Sequence, residues 1–282
     1  MIEVSNLTFS YSHLPFMEQI TFDVKEGEIF GFLGPSGAGK STLQKILIGL
    51  LTGYSGKVSV AGFDVGKKPA GFYETIGVGF EFPNFYEKFT AAENLDFFSS
   101  LYQTSCIPTA DLLSMVGLSA DADKKVASFS KGMKSRLNFV KAIAHRPKVL
   151  FLDEPTSGLD PTNAQVMKNI IKQLRADGTT IIITTHNMHD ATELCDRVAF
   201  IVEGKIRALD TPHQLMLARR ENKIAYSYLQ NGVEMTTETL QSEISKDGHF
   251  MELLAHNQLL TIHTQEPSLD DVFREITGRS LK

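Results

Sequence analysis

The sequence predicts an α/β protein, a parallel sheet core preceded by antiparallel strands and followed by a small α+β appendage. Three observations carry this. Continuously apolar runs, "EIFGFL" (28–33), "KVLFLD" (148–153), "TTIIITTH" (179–186) and "RVAFIV" (197–202), read as buried strands, and helical patterns separate them. The N-terminal stretch alternates instead, through Ile2, Val4, Leu7 and Phe9 and again through Ile20, Phe22 and Val24. That period of two belongs to antiparallel strands. After about residue 220 the texture changes to short mixed pieces, which places a domain boundary between 218 and 219, with domains 1–218 and 219–282.

Each element has a local cause. "EIFGFL" runs straight into a glycine-rich turn, and "KSTLQKILIGLL" (40–51) then has helical spacing through Leu43, Ile46, Leu47 and Leu50. "SKGMKSRLNFVKAIAHRP" (130–147) fits a helix capped by Ser130, with Met133, Leu137, Val140 and Ile143 on one face and Pro147 past its end. "DPTNAQVMKNIIKQLRADG" (160–178) has Asp160 as N-cap, Pro161 at the first helical position and Gly178 as the stop. In the appendage, "IAYSYL" (224–229), "FMELLAH" (250–256) and "LLTIHT" (259–264) read as strands around a helical "ETLQSEISK" (238–246). The closing "SLDDVFREITG" (268–278) is a helix with capping-box spacing from Ser268 to Asp271.

Bulk properties exclude several classes. The chain has 282 residues and 42% hydrophobic content, enough for a sizeable core. Its net charge of −5 argues against a broad nucleic-acid footprint. Cys106 and Cys195 lie far apart without metal-ligand spacing, so reduced thiols in a cytoplasmic protein are expected. The start, "MIEVSNLTFS", has neither the basic nor the apolar region of a signal peptide. The longest apolar runs, such as "ILIGLL" (46–51), fall far short of the roughly 20 residues that span a bilayer. Any membrane role therefore comes through a partner.

The strongest chemical signal is "GPSGAGKST" (34–42), which has the spacing G-x-x-x-x-G-K-[ST] between a strand and a helix. Gly34, Pro35, Ser36, Gly37, Ala38 and Gly39 form a loop whose backbone N–H groups can curl around a phosphate, reinforced by the following helix N-terminus. Lys40 sets a cation against β/γ oxygens, the Ser41 hydroxyl is a Mg²⁺ ligand, and Thr42 follows. The site's second half is "VLFLDEP" (149–155), an apolar strand that delivers Asp153 to the metal and places Glu154 as the base for an attacking water. The bland alternatives are a chance glycine-rich turn and an acidic pair capping the next turn.

Beyond these motifs, residues 1–215 resemble the nucleotide-binding subunits of ABC transporters, in the exporter-type bacterial subfamily. "SFSKGMKSR" (128–136) resembles the family signature, with Ser130 and Gly132 where the family contacts the γ-phosphate of the opposite subunit. "SGLD" (157–160) resembles the D-loop, ending in Asp160, and "TTHNM" (184–188) places His186 where the family has its switch histidine. Tyr11 in "SYS" stands where an aromatic stacks on adenine. Two departures accompany the match. Lys131 and Met133 replace the third and fifth signature residues, and Glu81, in "IGVGFE" (76–81), stands where the family has the Q-loop glutamine. Glu81 is thus a candidate neighbour of Mg²⁺ or of the attacking water, with an added negative charge.

The resemblance implies the P-loop ABC ATPase fold, with an antiparallel β subdomain and a helical subdomain at about 83–145. It implies a head-to-tail dimer that holds ATP and Mg²⁺ between subunits, with Glu154, His186 and Lys40 as the catalytic groups. It also implies peripheral attachment to the inner face of the membrane through a separate permease, with no nucleic acid bound. The tail "EPSLDDVFREITGR" (266–279) resembles that of exporter-type subunits, which favours efflux. A non-transport ABC ATPase on ribosomes or DNA, a generic P-loop kinase and a sensor or immunity module are the rival readings. One segment asks for its own explanation: "VGFEFPNFYEKFT" (78–90) puts five rings in ten residues of a chain without tryptophan. Phe80 and Phe89 are expected in the core, and Phe82, Phe85 and Tyr86 are expected to dock the permease, because rings anchor interfaces at low entropic cost.

Overall fold

The computed structural model describes residues 1–12, 14–69, 71–218, 223–265 and 267–278. The chain divides into two compact units, the first comprising Met1–Thr211 and the second starting at Pro212. The boundary expected between 218 and 219 abuts residues outside the described ones, as do both ends of the tail segment 266–279.

In the first unit, β1 (Ile2–Phe9) and β2 (Met17–Val24) pair antiparallel, and β4 (Ser55–Val60) and the short β5 (Phe63–Asp64) extend them into a four-stranded sheet ordered β2-β1-β4-β5. The central sheet uses β3 (Ile29–Leu33), β6 (Ile76–Gly79), β7 (Val149–Asp153), β8 (Thr180–Thr185), β9 (Arg197–Val202) and β10 (Lys205–Asp210), ordered β10-β9-β3-β8-β7-β6. Its strands run parallel except for the antiparallel edge β10. The helices are α1 (Lys40–Leu47), α2 (Phe72–Thr75), α3 (Ala91–Ser99), α4 (Thr109–Met115), α5 (Lys131–Ile143), α6 (Pro161–Ala176) and α7 (Met188–Leu194). One core joins the two sheets: Ile2, Val4 and Leu7 pack in the same cluster as Phe30, Leu43, Phe151 and Ile201, all at most 1% exposed. Each such side chain contributes about 1.5–3 kcal/mol.

Helix α1 is shorter than its apolar spacing suggests. It ends at Leu47, because Gly49 turns the chain out with φ 75°, and Leu50 becomes 56% exposed. Helix α5 starts on Ser130, whose hydroxyl accepts from Met133 N, and α6 starts on Asp160, whose carboxylate accepts from Asn163 N.

The second unit holds α8 (Pro212–Leu217), the sheet β12-β11-β13, α9 (Gly248–Ala255) and α10 (Leu269–Thr277). Its strands are β11 (Lys223–Gln230), β12 (Val233–Leu240) and β13 (Leu259–Gln265), both outer strands antiparallel to β11. Two expectations are overturned here. "ETLQSEISK" is not a helix: Glu238, Thr239 and Leu240 pair with Ala225, Ile224 and Lys223, followed by a turn and one 3₁₀ turn at Ile244–Lys246. The alternation and threonines of "VEMTTETL" favour a strand that continues into that segment. "FMELLAH" is not a strand. Asp247 caps α9 by accepting from Phe250 N, and Phe250 and Leu253, three apart on one helical face, pack on Tyr226 and Tyr228. Ser268 and Asp271 do form a capping box, and Gly278 ends α10.

Candidate functional site

The loop between β3 and α1 is shaped by backbone demands that glycine meets. A Cβ on Gly34 would lie 2.1 Å from the Ile201 carbonyl oxygen. Gly39, the N-cap of α1, has φ 113°, a conformation strained for any side chain. The loop thereby curls over a cavity of about 330 Å³ lined by Phe16, Ser36–Thr42, Glu81, Asp153, Glu154 and His186. The ends of β7 and β8 deliver the last three residues, as expected at the carboxyl ends of parallel strands.

Lys40, Asp153, Glu154 and His186 are each held by hydrogen bonds within the chain. Lys40 Nζ donates to the Gly34 and Pro35 carbonyls at 2.5 and 3.1 Å. Asp153 accepts from the buried Thr184 hydroxyl. Glu154 has a left-handed backbone, φ 50°, fixed by its N–H to Thr184 O at 2.9 Å. Such strain persists only where its surroundings enforce it. The Glu154 carboxylate accepts from Thr185 Oγ1 at 3.0 Å, from His186 N at 2.9 Å and from His186 Nδ1 at 2.6 Å. Burial lowers the Lys40 pKa, while Glu154, Asp153 and Glu81 oppose that shift. Burial likewise raises the Asp153 carboxyl, against the Thr184 hydrogen bond and Lys40. Three carboxylates thus face one ammonium.

Tyr11 lies beside this loop, 60% exposed. Its hydroxyl is 2.9 Å from Thr42 Oγ1, and its ring meets Phe9 and Phe16 edge-on, at 4.8 and 5.4 Å between centroids. Ser130, Gly132 and Asp160 are not on the cavity wall. Gly132, at the start of α5, lies instead beside residues 158–159: a Cβ on it would lie 3.5 Å from Leu159, and Lys131 lies over Gly158. Phe16, Thr184 and Thr185 are site residues that the motif reading missed. "TTH" carried a signal for the two threonines, since a hydroxyl beside a strand-end acid is a natural donor. The other carboxylate cluster, Asp190 and Glu193 beside His189, is bound up by Lys168, 2.5 and 2.7 Å from the two acids.

The aromatic loop corrects a further expectation. Phe80 and Phe89 are not core: they are 40% and 42% exposed. Asn138 Nδ2 holds the Phe80 carbonyl at 2.8 Å, and the fully buried Asn94 binds both backbone groups of Tyr86. Phe82 is 73% exposed, Tyr86 49%, and Phe85 is half-buried. Tyr86 packs edge-on against Phe97 of α3 at 5.0 Å. Among the described residues no helix is long and apolar enough to cross a membrane.

The comparisons agree with this geometry. The ABC transporter family model matches residues 17–157. A fluoroquinolones export ATP-binding protein of Mycobacterium tuberculosis is 48% identical over 284 residues, covering 100% of this chain and 94% of that protein. The linearmycin resistance ATP-binding protein of Bacillus subtilis is 33% identical over 310 residues, covering 100% of both. A solved ATP-binding subunit of an ABC transporter superposes with TM-score 0.71 at 29% identity, over 77% of this chain and 92% of that one. At the level of fold alone, a dimeric ATP-binding cassette bound to ADP and Pi superposes with TM-score 0.66 at 23% identity, over 75% of this chain and 98% of the other. With a phosphate loop, two strand-end acids and a histidine converging on one cavity, the chain belongs to the ABC transporter family as an ATP-hydrolysing, ATP-binding subunit.

Proposed function

We propose that this subunit powers export by a separate membrane permease. The observation that carries the reading is likeness along the whole chain, at 48% identity, to a protein named for export. In this reading two copies, or one copy and a paralogue, meet head to tail. ATP lies on Tyr11 and the 34–42 loop of one subunit, closed over by the partner subunit's Ser130 and Gly132, with Asp160 at the same junction. Glu154 accepts the proton of the attacking water, oriented by Thr185 and His186, while Lys40 meets the charge spread over the transferring phosphoryl group.

The donor set fits Mg²⁺. Ser41 and Asp153 offer hard oxygens in one cavity, with Glu81 beside them, and a triphosphate facing three carboxylates needs a compensating cation. When bound, Mg²⁺ supplies that positive charge to the phosphate oxygens. Phe82, Phe85 and Tyr86 are the proposed docking residues for the permease, which holds the subunit at the membrane's inner face. The test is purification of the tagged chain from solubilised membranes. A polytopic permease co-purifying and stimulating ATP hydrolysis is the expected result; ribosomes or DNA co-purifying instead would overturn the reading.

A further inference from the structure

Between α2, β6, α3 and α5 the first unit has an apolar groove of about 430 Å³. Leu50, Tyr73, Phe80 and Leu101 line it and are 56%, 49%, 40% and 64% exposed, which is much apolar surface for one side of a unit to leave open. One cation lies in its wall. Lys141 Nζ is 4.7 Å from the ring centroids of both Phe85 and Phe98. Its hydrogen-bond acceptor is the Asn84 carbonyl at 3.5 Å. Among the described residues no carboxylate lies within salt-bridge distance of it. Glu74, the acid in the same groove, is committed to Gln103 N at 3.1 Å and the Thr104 hydroxyl at 3.2 Å.

An ammonium has three donors, and two phenyl faces and one distant carbonyl leave that capacity unmet. The two rings flank the half-buried cation, and in that partly desolvated setting an anion that reaches it is bound more strongly. We propose that the groove receives an apolar cytoplasmic segment of the permease bearing one Asp or Glu, whose carboxylate pairs with Lys141. This rests on the permease reading above and adds the chemistry by which the groove selects its partner. Apolar burial supplies contact area, and the single ion pair fixes register and rejects segments that lack the acid. Burial with no compensating acid lowers the Lys141 pKa to about 8, in keeping with an ammonium prepared for a missing partner.

The test uses the purified complex of this chain with its permease. A water-soluble carbodiimide activates a carboxylate, the lysine amine displaces the activated group as a urea, and an amide remains. Peptide mapping is expected to join Lys141 to an Asp or Glu of the permease. Lys141→Met, which keeps the apolar stem, is expected to weaken association about tenfold or more, and Lys141→Arg to retain it. A Leu101→Cys variant with a bifunctional cross-linker reports whether the groove is occupied at all. Cross-linking at Leu101→Cys without any Lys141 product, and with Lys141→Met binding as wild type, would overturn the ion pair alone. If Leu101→Cys does not reach the permease, the docking reading falls with it.

Discussion

The nucleotide cavity and the aromatic groove sit on the same unit and satisfy their polar groups in opposite ways. In the cavity, Lys40, Asp153, Glu154 and His186 all have partners within the chain, at the ends of neighbouring strands. In the groove, large rings face outward, and among the described residues Lys141 has no acid at salt-bridge distance. The difference teaches where each function can be read. The groups held within the chain are set by folding, so their variants show defects in the ATPase subunit without the permease. A site with unmet partners becomes energetically complete only in a complex, so its variants leave ATP hydrolysis unchanged until the permease is present.

The strongest loss of hydrolysis is expected at Glu154. Glu154→Gln keeps the shape and the hydrogen-bond capacity toward Thr185 but cannot take a proton. Turnover of the isolated subunit is expected to fall about 10²–10⁴-fold with ATP binding retained, read by phosphate release and by nucleotide titration. Near wild-type hydrolysis would remove Glu154 as the base. Lys40→Ala comes next. It deletes the proposed charge-assisted contact to phosphate, and ATP affinity is expected to drop about 10- to 100-fold, again without the permease.

Those two residues were legible in the sequence because their chemistry needs fixed local spacing: a Gly-rich loop directly before a lysine, and two acids directly after an apolar strand. Phe16, Thr184 and Thr185 were not read, because tertiary placement makes them site residues: Phe16 comes against Gly39, and β8 pairs with β7 beside Asp153, which one segment alone does not encode. In the second unit the same limit produced outright errors. "FMELLAH" has an apolar run that suits a strand or a helix, and only Asp247 upstream and the Tyr226–Tyr228 surface decide for the helix. Phe80 and Phe89 failed as core for a similar reason. Hydrophobicity marks them for burial, but the loop backbone is held at Phe80 by Asn138 and at Tyr86 by Asn94, and both rings stay exposed.

The groove side of the comparison is tested by Phe85→Ala and Tyr86→Ala. Basal ATPase is expected to stay within about twofold, while permease co-purification and stimulated ATPase fall several-fold, as for truncated interface anchors. A loss of basal activity would show the two regions to be one cooperative structure. Unchanged binding and stimulation would remove both rings from the interface.

The smallest effect separates satisfied from unsatisfied charge by stability alone. Glu193 is held by Lys168 and Lys172, both at 2.7 Å, and those hydrogen bonds lower its pKa from 4.5 to about 2. A depressed acid contributes stability that is present above 4.5 and lost as pH falls through that window toward 2. Lys141 has the reverse sign. Its folded pKa near 8 lies below the ordinary 10.5, so the unfolded chain binds more protons between those values and stability rises as pH climbs through them. At neutral pH the unpaired ammonium therefore opposes folding. Thermal melts of the isolated subunit are expected to show Glu193→Gln losing about 2–4 °C at pH 7 and Lys141→Met losing nothing or gaining a similar amount. The Lys141→Met gain is expected to shrink above pH 8, as the wild-type amine discharges. A melting loss in Lys141→Met as large as that in Glu193→Gln would mean that Lys141 already has its partner inside the fold, and the groove would no longer differ from a self-partnered site.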